Sequence, residues 1–249
     1  LNISVIQGNI DQSQKWEKSL QKNIIDKYIR LTEKELGTKP SLVVWPETAL
    51  PFIYGNDIEL TEHLRTYLLD KDFYLFTGFP HYDFGEDGKV YMTNSAGLFY
   101  KGELLQKYHK THLVPFGEYV PLKKILFFVN KLVTAAGDFL AGTETKILSC
   151  GDLKIAPLIC YEAIFSEISK EYKNKGANIL INITNDAWFG KSSAPYQHFA
   201  MCKFRAIENN LFLVRSANTG ISGIISPTGE VLISTPIFTD NSFSYSILY

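Results

Sequence analysis

The chain alternates short apolar segments, of the length of a β-strand, with segments whose apolar residues recur at the spacing of a helix. Ile3–Gln7 is the first strand-like segment, and Trp16, Leu20, Ile24, Tyr28 and Leu31 then recur at spacings of three and four, as one face of a long helix would. The further predicted strands are Leu42–Trp45, Phe73–Phe79, Val90–Tyr100, Glu103–Lys107, Leu153–Ile159, Ile179–Ile183, Leu211–Val214, Ser222–Ile225 and Val231–Ile233, and the further predicted helices are Leu60–Leu69 and Pro195–Asn210. Val90–Tyr100 is expected to pair with Glu103–Lys107 as a hairpin across Lys101-Gly102. The alternation predicts an α/β fold with well-covered sheets. Because no low-complexity linker interrupts it, residues 1–249 are expected to form a single domain.

The composition excludes several classes of protein. With 45% apolar and 14% aromatic residues, the chain can bury a large core, which argues against disorder. Its net charge of −1 and dispersed basic residues do not suit a protein that holds nucleic acid by its phosphates. Three cysteines, without a CxxC pair, indicate neither a disulfide framework nor structural zinc. We therefore expect no nucleic-acid partner, no metal and no cofactor.

The sequence of the chain itself contains no segment that is expected to cross a membrane. Its longest apolar stretch, Ile125–Val133, is interrupted by Asn130 and Lys131 and is far shorter than a span. The opening residues lack the pattern of a signal peptide. We expect a soluble chain that is either complete or a piece of something longer.

Three polar residues stand at or just after strand-like segments, where loops at sheet edges often carry function. Glu47 follows Pro46, which ends a predicted strand because proline cannot continue a ladder. Lys110 lies in a polar loop near mid-chain, and Cys160 ends a buried strand before a helix that is expected to begin near Ala163. A thiol near a helix N-terminus and a lysine is expected to have a lowered pKa.

Together these three residue types cover the roles that acyl chemistry needs. Cys160 would be the nucleophile and Glu47 the general base, while Lys110 and backbone N–H groups would stabilise an oxyanion. Taken singly, each has a simpler interpretation: a small buried hydrophobe, a solvated turn residue and a surface charge. His109 and His112 could be a metal pair, but no third ligand stands in an obvious place. The residues alone leave these alternatives open.

A series of motifs, in a fixed order, favours the catalytic interpretation. The motifs are Val5–Ile10 with Trp16, Val44–Pro51, Lys110–Pro121, Ile159–Glu162, Asn185–Gly190, Gln197–Phe199, Arg205–Glu208 and Arg215–Ser222. They resemble the carbon–nitrogen hydrolase (nitrilase) superfamily, whose Glu-Lys-Cys triad matches Glu47, Lys110 and Cys160. The segments HLVPFGE (112–118) and NDAWFG (185–190) resemble one branch in particular, the apolipoprotein N-acyltransferases.

The resemblance implies a four-layer α-β-β-α sandwich and a ping-pong acyl transfer in lipoprotein biosynthesis. Cys160 would take an acyl chain from a phospholipid as a thioester and pass it to the α-amino group of a diacylglyceryl-modified apolipoprotein. Glu118 would orient Lys110 and assist proton traffic. The remaining residues that match the family's pocket are Tyr161, Glu162, Asn185, Asp186 and Trp188. Trp16 falls where the family has a tryptophan linked to substrate handling, although it could equally be a core anchor of its helix.

Members of this branch are bacterial inner-membrane proteins whose catalytic domain is on the periplasmic face, between transmembrane helices that this chain lacks. The chain is then either an excised domain or a soluble relative with another substrate. The run Tyr119–Val129 favours the first, because two lysines beside a very apolar face suit an interfacial helix or lid, with a buried helix as the alternative. The competing functions are a soluble amidase or nitrilase that uses water as acceptor, and a non-catalytic relative that binds a lipid or protein.

Overall fold

A computed structural model describes residues 1–119 and 139–248 of the chain. Within these residues, the strands are β1 (Asn2–Gln7), β2 (Leu42–Val44), β3 (Tyr74–Phe84), β4 (Val90–Tyr100), β5 (Glu103–His109), β6 (Leu148–Cys150), β7 (Leu153–Ile159), β8 (Ile179–Thr184), β9 (Phe212–Ala217), β10 (Gly223–Ile225), β11 (Val231–Ser234) and β12 (Asn241–Ser246). The α-helices are α1 (Gln21–Glu33), α2 (Ile58–Leu68), α3 (Ser166–Asn174) and α4 (Ala194–Asn209). Short 3₁₀ helices cover Lys18–Leu20, Leu36–Thr38, Cys160–Ile164 and Asp186–Phe189.

The strands form two sheets of six with similar organisation. The first has the order β12-β1-β2-β3-β4-β5 and the second the order β11-β10-β9-β8-β7-β6. In each sheet three neighbouring strands run parallel, β1-β2-β3 in the first and β7-β8-β9 in the second. The outer strands are antiparallel to them. Because parallel strands are joined by crossover helices, both sheets carry helices on one face.

The side chains of β1 show how the layers are stacked. Ile3 and Val5 point into a large core that they share with Ile155 and Leu158 of the second sheet. Ile6 points the other way, into a core built with α1 and α2. Residues of α3 and α4 pack on the far side of the second sheet. The predicted four-layer α-β-β-α sandwich is confirmed.

Most of the predicted elements are present, but the first helix and the helix after β7 begin later than predicted. The predicted hairpin is confirmed, since its turn residues Lys101 and Gly102 both have positive φ, as a tight two-residue turn requires. The first helix does not include Trp16: it begins at Gln21, and Trp16 lies in a preceding loop with 47% of its surface exposed. The chain after β7 first forms a 3₁₀ turn, so the next α-helix begins at Ser166 and not near Ala163.

The topology brings the ends of several strands to one place. Glu47 follows β2 and Cys160 follows β7, and Asn185 follows β8 in the same sheet as Cys160. Carboxyl ends of parallel strands are the usual place for an active site in α/β folds. Of the predicted interfacial helix or lid over Tyr119–Val129, all but Tyr119 lies outside the described residues. Among the helices of the described ranges, none is both long and apolar enough to cross a bilayer.

Candidate active site

The backbone holds Glu47 in a tight turn against β3. Thr48 has φ +47°, and the backbone N–H of Gly78 donates to the Pro46 carbonyl at 3.1 Å. A Cβ on Gly78 would stand 2.5 Å from the Thr48 nitrogen and 2.7 Å from the Glu47 Cα. Only glycine therefore lets the turn lie directly on β3, and this contact sets the position of the Glu47 carboxylate.

The carboxylate of Glu47 is 6% exposed and is held from both sheets. Asn94 Nδ2, from β4, donates to its Oε1 at 2.7 Å, and the backbone N–H of Asn185, after β8, donates to its Oε2 at 2.8 Å. Lys110 Nζ lies 3.8 Å from Oε1. Two neutral donors and one nearby ammonium keep the carboxylate oriented while leaving it able to accept a proton.

Lys110 is buried and is paired with Glu118. Its Nζ lies 2.9 Å from both oxygens of that carboxylate, which also accepts from Asn94 Nδ2 at 2.8 Å and from the backbone of Val114. Burial lowers the pKa of Lys110, but Glu47, Cys160 and Glu118 outweigh it and raise the pKa above its usual range. Lys110 is thus a buried ammonium whose position is set by its contacts with the Glu118 carboxylate.

Cys160 sits in a strained turn directly after β7. Its φ is +51°, in the left-handed region, which costs a residue other than glycine on the order of 1–3 kcal/mol. His198 Nε2 donates to the Cys160 carbonyl at 3.0 Å, and Asn182 Nδ2 lies 3.4 Å from the same oxygen. These contacts fix the backbone from which the thiol projects.

The pKa of the Cys160 thiol differs from the expected one. Burial and the negative charge of Glu47 raise it to about 12, against the opposing effect of Lys110. The prediction of a lowered thiol pKa was wrong, because burial disfavours the thiolate and the negative charge of Glu47 adds to that effect, which together outweigh Lys110. Cys160 is therefore a neutral thiol at neutral pH, and it could act as a nucleophile only with a base to take its proton.

Glu162 connects the Cys160 turn to the Lys110 loop. Its Oε2 accepts from the Ile159 backbone at 2.7 Å, while its Oε1 accepts from the hydroxyl of Tyr108 at 2.6 Å and from the backbone of Thr111 at 2.7 Å. The side chain is fully buried. Glu162 thus holds the Cys160 turn and the Lys110 loop together.

A second buried network lies under Cys160. Asp186 is fully buried and pairs with Arg215 at 2.7 Å, while Thr184 and His198 approach its other oxygen at 3.0 Å. Burial would raise the pKa of Asp186, but Arg215 and the two hydrogen-bonding neighbours lower it to about 2. The carboxylate therefore stays charged and supports His198, which holds the Cys160 carbonyl.

The other predicted site residues have varied surroundings. Asn185 joins the network of Gln12 and Asn218 through its side chain. Tyr161 is half-buried and packs edge-on against Phe165. Trp188 and Trp16 are large exposed aromatics, at 64% and 47%, so Trp16 is not a core anchor.

Sequence reasoning did not identify four buried polar residues near the triad as separate site residues: Lys15, Asn94, His198 and Arg215. Lys15 precedes the exposed Trp16 in a polar stretch whose pattern gives no sign of burial. His198 and Arg215 lie in the motifs Gln197–Phe199 and Arg215–Ser222, and those motifs are the sequence signal that could have identified them.

The two histidines that were considered as a metal pair are engaged separately. His109 stacks on His81, and its Nδ1 lies 2.7 Å from the Ser95 hydroxyl, whereas His112 packs against Phe165. In the ranges that the structure describes, no group of three His, Cys, Asp or Glu side chains could hold a metal ion.

The family model for carbon–nitrogen hydrolases matches residues 2–246, which is almost the whole chain. The chain belongs to the carbon–nitrogen hydrolase family. The predicted resemblance is confirmed, and the Glu47, Lys110 and Cys160 positions can be interpreted as those of a carbon–nitrogen hydrolase triad.

Curated relatives extend the resemblance to the predicted branch. The chain is 43% identical, over 96% of its length, to an apolipoprotein N-acyltransferase of Geobacter metallireducens. It is 38% identical, over 99% of its length, to one of Rhizobium rhizogenes. It covers 46% and 47% of these relatives, so it spans about half of their length.

Solved structures show the same carbon–nitrogen hydrolase fold at lower identity. A mutant amidase from Nesterenkonia sp. AN1, with acrylamide added at its active-site cysteine, superposes over all of this chain and 93% of its own, with a TM-score of 0.73 at 18% identity. A glutamine-dependent NAD+ synthetase from Acinetobacter baumannii matches 98% of this chain and 44% of its own, with a TM-score of 0.67 at 17% identity. At these identities the likeness concerns the fold alone.

Proposed function

We propose that this chain is the catalytic part of an N-acyltransferase that moves an acyl chain from a phospholipid to the α-amino group of a diacylglyceryl-modified apolipoprotein. The observation that carries the proposal is the similarity to apolipoprotein N-acyltransferases along nearly the whole chain. The assembled trio of Glu47, Lys110 and Cys160 supports it, because acyl transfer needs a nucleophile, a base and a fixed cation in one place.

In the first half-reaction, the Cys160 sulfur attacks the ester carbonyl of the phospholipid while Glu47 takes the thiol proton. Lys110 and backbone N–H groups stabilise the oxyanion of the tetrahedral intermediate. The carbon–oxygen bond then breaks, Glu47 returns the proton to the leaving lysophospholipid oxygen, and the acyl group remains on Cys160 as a thioester.

In the second half-reaction, the apolipoprotein amine attacks the thioester carbonyl. Glu47 takes a proton from the attacking nitrogen, an amide bond forms, and the carbon–sulfur bond breaks. The sulfur leaves as a thiolate and recovers the proton from Glu47, so the enzyme returns to its resting state. Because Glu118 and Asn94 hold the charges around Glu47 and Lys110 in place, the same geometry serves both halves.

The relatives are about twice as long as this chain, and we extend the proposal to the whole protein accordingly. Residues 1–249 would be one catalytic domain on the periplasmic face of a bacterial inner membrane. Flanking membrane segments would deliver the phospholipid.

The test is to express the protein with its natural flanking sequence, incubate it with phospholipid vesicles, and measure intact mass. We expect an adduct of one acyl chain that Cys160→Ser removes, and a synthetic diacylglyceryl lipopeptide should discharge it. The Cys160→Ser variant should reduce acyl transfer by about 10³-fold or more while keeping its circular dichroism. Cys150→Ser is the matched control, because Cys150 lies in β6, away from the triad.

A hydrolase of small amides or nitriles is the alternative, since the same triad can use water as acceptor. No mass adduct from vesicles, together with release of ammonia from small amides, would reject the acyltransferase and support the hydrolase. A wild-type protein that forms no covalent intermediate with either substrate class would reject both.

A further inference from the structure

Lys15 is a buried lysine on a loop that is otherwise mostly in solvent. Its side chain is 1% exposed, whereas Gln14, Trp16 and Glu17 on either side of it are exposed. The ammonium donates to the backbone carbonyl of Glu47 at 3.1 Å. Within residues 1–119 and 139–248, no carboxylate oxygen lies within 4.0 Å of it. A charged group is thus buried beside Glu47, and the described residues supply no ion-pair partner for it.

The loop that carries Lys15 is anchored so that the ammonium stays in place. Asn218 accepts from the backbone of Ile10 at 2.8 Å and donates back to the Ile10 carbonyl at 2.8 Å. Gln12 accepts from Asn185 at 2.7 Å, and the Asn185 backbone holds Glu47. The loop therefore meets the same segment of the second sheet that orients the carboxylate, and Lys15 is not free to leave.

The charges of the site explain why a second cation is needed there. Glu47 and Glu118 share the amide nitrogen of Asn94, so two carboxylates are drawn together around one neutral donor. Lys110 contacts both oxygens of Glu118 at 2.9 Å but stands 3.8 Å from Glu47. The positive charge of Lys110 is thus closer to Glu118 than to Glu47. The carboxylates of Glu47 and Glu118, with the ammonium of Lys110 alone, leave an excess of negative charge near Glu47.

The electrostatics of Lys15 agree with this geometry. Burial lowers its pKa to about 8, and Glu47 and Cys160 act in the opposite direction, which means that the ammonium is within electrostatic reach of both. A lysine placed only to fill space would gain nothing from its charge, since burial of an ammonium is unfavourable.

We propose that Lys15 is a positioning residue for Glu47, which fixes that residue by its carbonyl and supplies the positive charge that keeps its carboxylate an anionic base beside Glu118. Without that charge, the negative charge of Glu47 beside Glu118 would be less favourable, and the carboxylate would be present as an anionic base over a narrower pH range. The inference rests on the proposed acyl chemistry of Cys160, but not on the identity of donor or acceptor.

The test uses p-nitrophenyl butyrate, whose burst of p-nitrophenol, read at its isosbestic wavelength, reports acylation of Cys160 without phospholipid or lipoprotein. The burst rate is measured from pH 5 to pH 9 for wild type, Lys15→Met, Lys15→Gln and Lys15→Arg, with Cys160→Ser as the baseline. Lys18→Met is the matched control, because Lys18 is an exposed lysine three residues further along, at the start of the 3₁₀ helix that follows the loop. The titratable groups around Glu47 and Lys15, namely Lys110, Glu118, Cys160 and Asp186, are unchanged in the Lys15 variants.

In Lys15→Met, the acidic limb of the pH profile should move up by about one pH unit, and the rate on that limb should fall by about 10-fold. Lys15→Gln keeps a donor for the Glu47 carbonyl but lacks the charge, so it should show the same shift, and it replaces Lys15→Met if that variant does not fold. Lys15→Arg should restore the position of the acidic limb, and Lys18→Met should match wild type.

A rate that falls equally at every pH, or an unmoved acidic limb in both Lys15→Met and Lys15→Gln, would show a packing role only and overturn the proposal. A normal burst without transfer from phospholipid would refute the proposed function and leave this inference standing.

Discussion

At the scale of single residues, the pKa of the Cys160 thiol depends on neighbours whose charges act in opposite directions. Cys160 has a positive φ, which other groups must stabilise, and His198 and Asn182 hold its carbonyl. Its thiol pKa is raised to about 12 by burial and by Glu47, while Lys110 acts against both. Thiolate formation is therefore coupled to protonation of the base.

This coupling makes a prediction about Glu47→Gln. Removing the negative charge should lower the pKa of Cys160 by about one unit, so iodoacetamide should alkylate Cys160 about 10-fold faster at pH 8. The same variant should lose acyl transfer, because the base is absent. The measurement is adduct formation by intact mass, corrected with Cys160→Ser.

Glu17→Gln is the control for this experiment, since Glu17 is exposed in the loop near Trp16 and its loss should leave alkylation unchanged. Slower alkylation in Glu47→Gln than in wild type would contradict the prediction. That result would mean that Glu47 raises the reactivity of the thiol in the resting state.

At the scale of elements, the turn after β2 depends on a glycine in the neighbouring strand. Gly78 lies on β3, and any side chain there would collide with the backbone of Glu47 and Thr48. The packing of β3 against the turn after β2 thus determines where the carboxylate of Glu47 projects.

Gly78→Ala should move the turn and lower both stability and activity. We expect a loss of about 1–3 kcal/mol in the free energy of unfolding, because the backbone must shift to admit the methyl group. The acylation rate should fall further than stability explains, since the Asn94 and Asn185 hydrogen bonds to Glu47 are displaced. Urea unfolding and the p-nitrophenyl ester burst measure the two effects.

Gly37→Ala is the control, because a Cβ at Gly37 meets nothing within 4 Å, and it should have little effect on stability or on the acylation rate. A fully active Gly78→Ala would refute the argument.

The elements also show what the sequence could predict. The α/β alternation, the hairpin at Lys101-Gly102 and the helix that follows Ser193 were predictable, because apolar period and turn chemistry are local properties. The strand β12 (NSFSYS) was missed, since an edge strand rich in serine lacks an apolar pattern, and it is specified by pairing with β1. Trp16 was assigned to a helix because its spacing continues that of Leu20 and Ile24, although the chain turns before Gln21.

The motifs predict Glu47, Lys110 and Cys160 as a triad, but they do not predict the buried residues that the structure places around these three. Lys15 and Asn94 act through contacts between segments far apart in the sequence, and neither residue type is distinctive where it stands. The raised pKa of Cys160 was also beyond the sequence, because it depends on the balance between Glu47 and Lys110 in three dimensions.

At the scale of the whole molecule, the site exists only because the two sheets face each other. Glu47 and Lys110 follow strands of the first sheet, and Cys160 and Asn185 follow strands of the second. Glu162 and the Asn185 backbone connect the two halves. The ion pair of Asp186 and Arg215 is fully buried in the second sheet, close to Cys160. Because the pair is buried, the charge of the Asp186 carboxylate contributes to the free energy of unfolding.

The Asp186 network predicts how stability depends on pH. The folded-state pKa of Asp186 is about 2, below the usual value of 3.8, so its contribution is present above about pH 4 and is lost as the pH falls toward 2. The stability difference between wild type and Asp186→Asn should therefore shrink by about 2 kcal/mol between pH 4 and pH 2. Urea unfolding at several pH values measures this. Asp152→Asn, at an exposed aspartate, should show no such change, and a constant difference for Asp186→Asn would contradict the prediction.

The side chains of the consecutive residues Lys15 and Trp16 point in opposite directions. Lys15 points into the protein and contacts Glu47, while the indole of Trp16 is held out toward solvent. A single peptide unit separates the two side chains, and the loop around them is fastened by Asn218. A ligand that displaces the Trp16 ring at the surface would therefore also displace the Lys15 ammonium from the Glu47 carbonyl, because the two side chains leave adjacent Cα atoms.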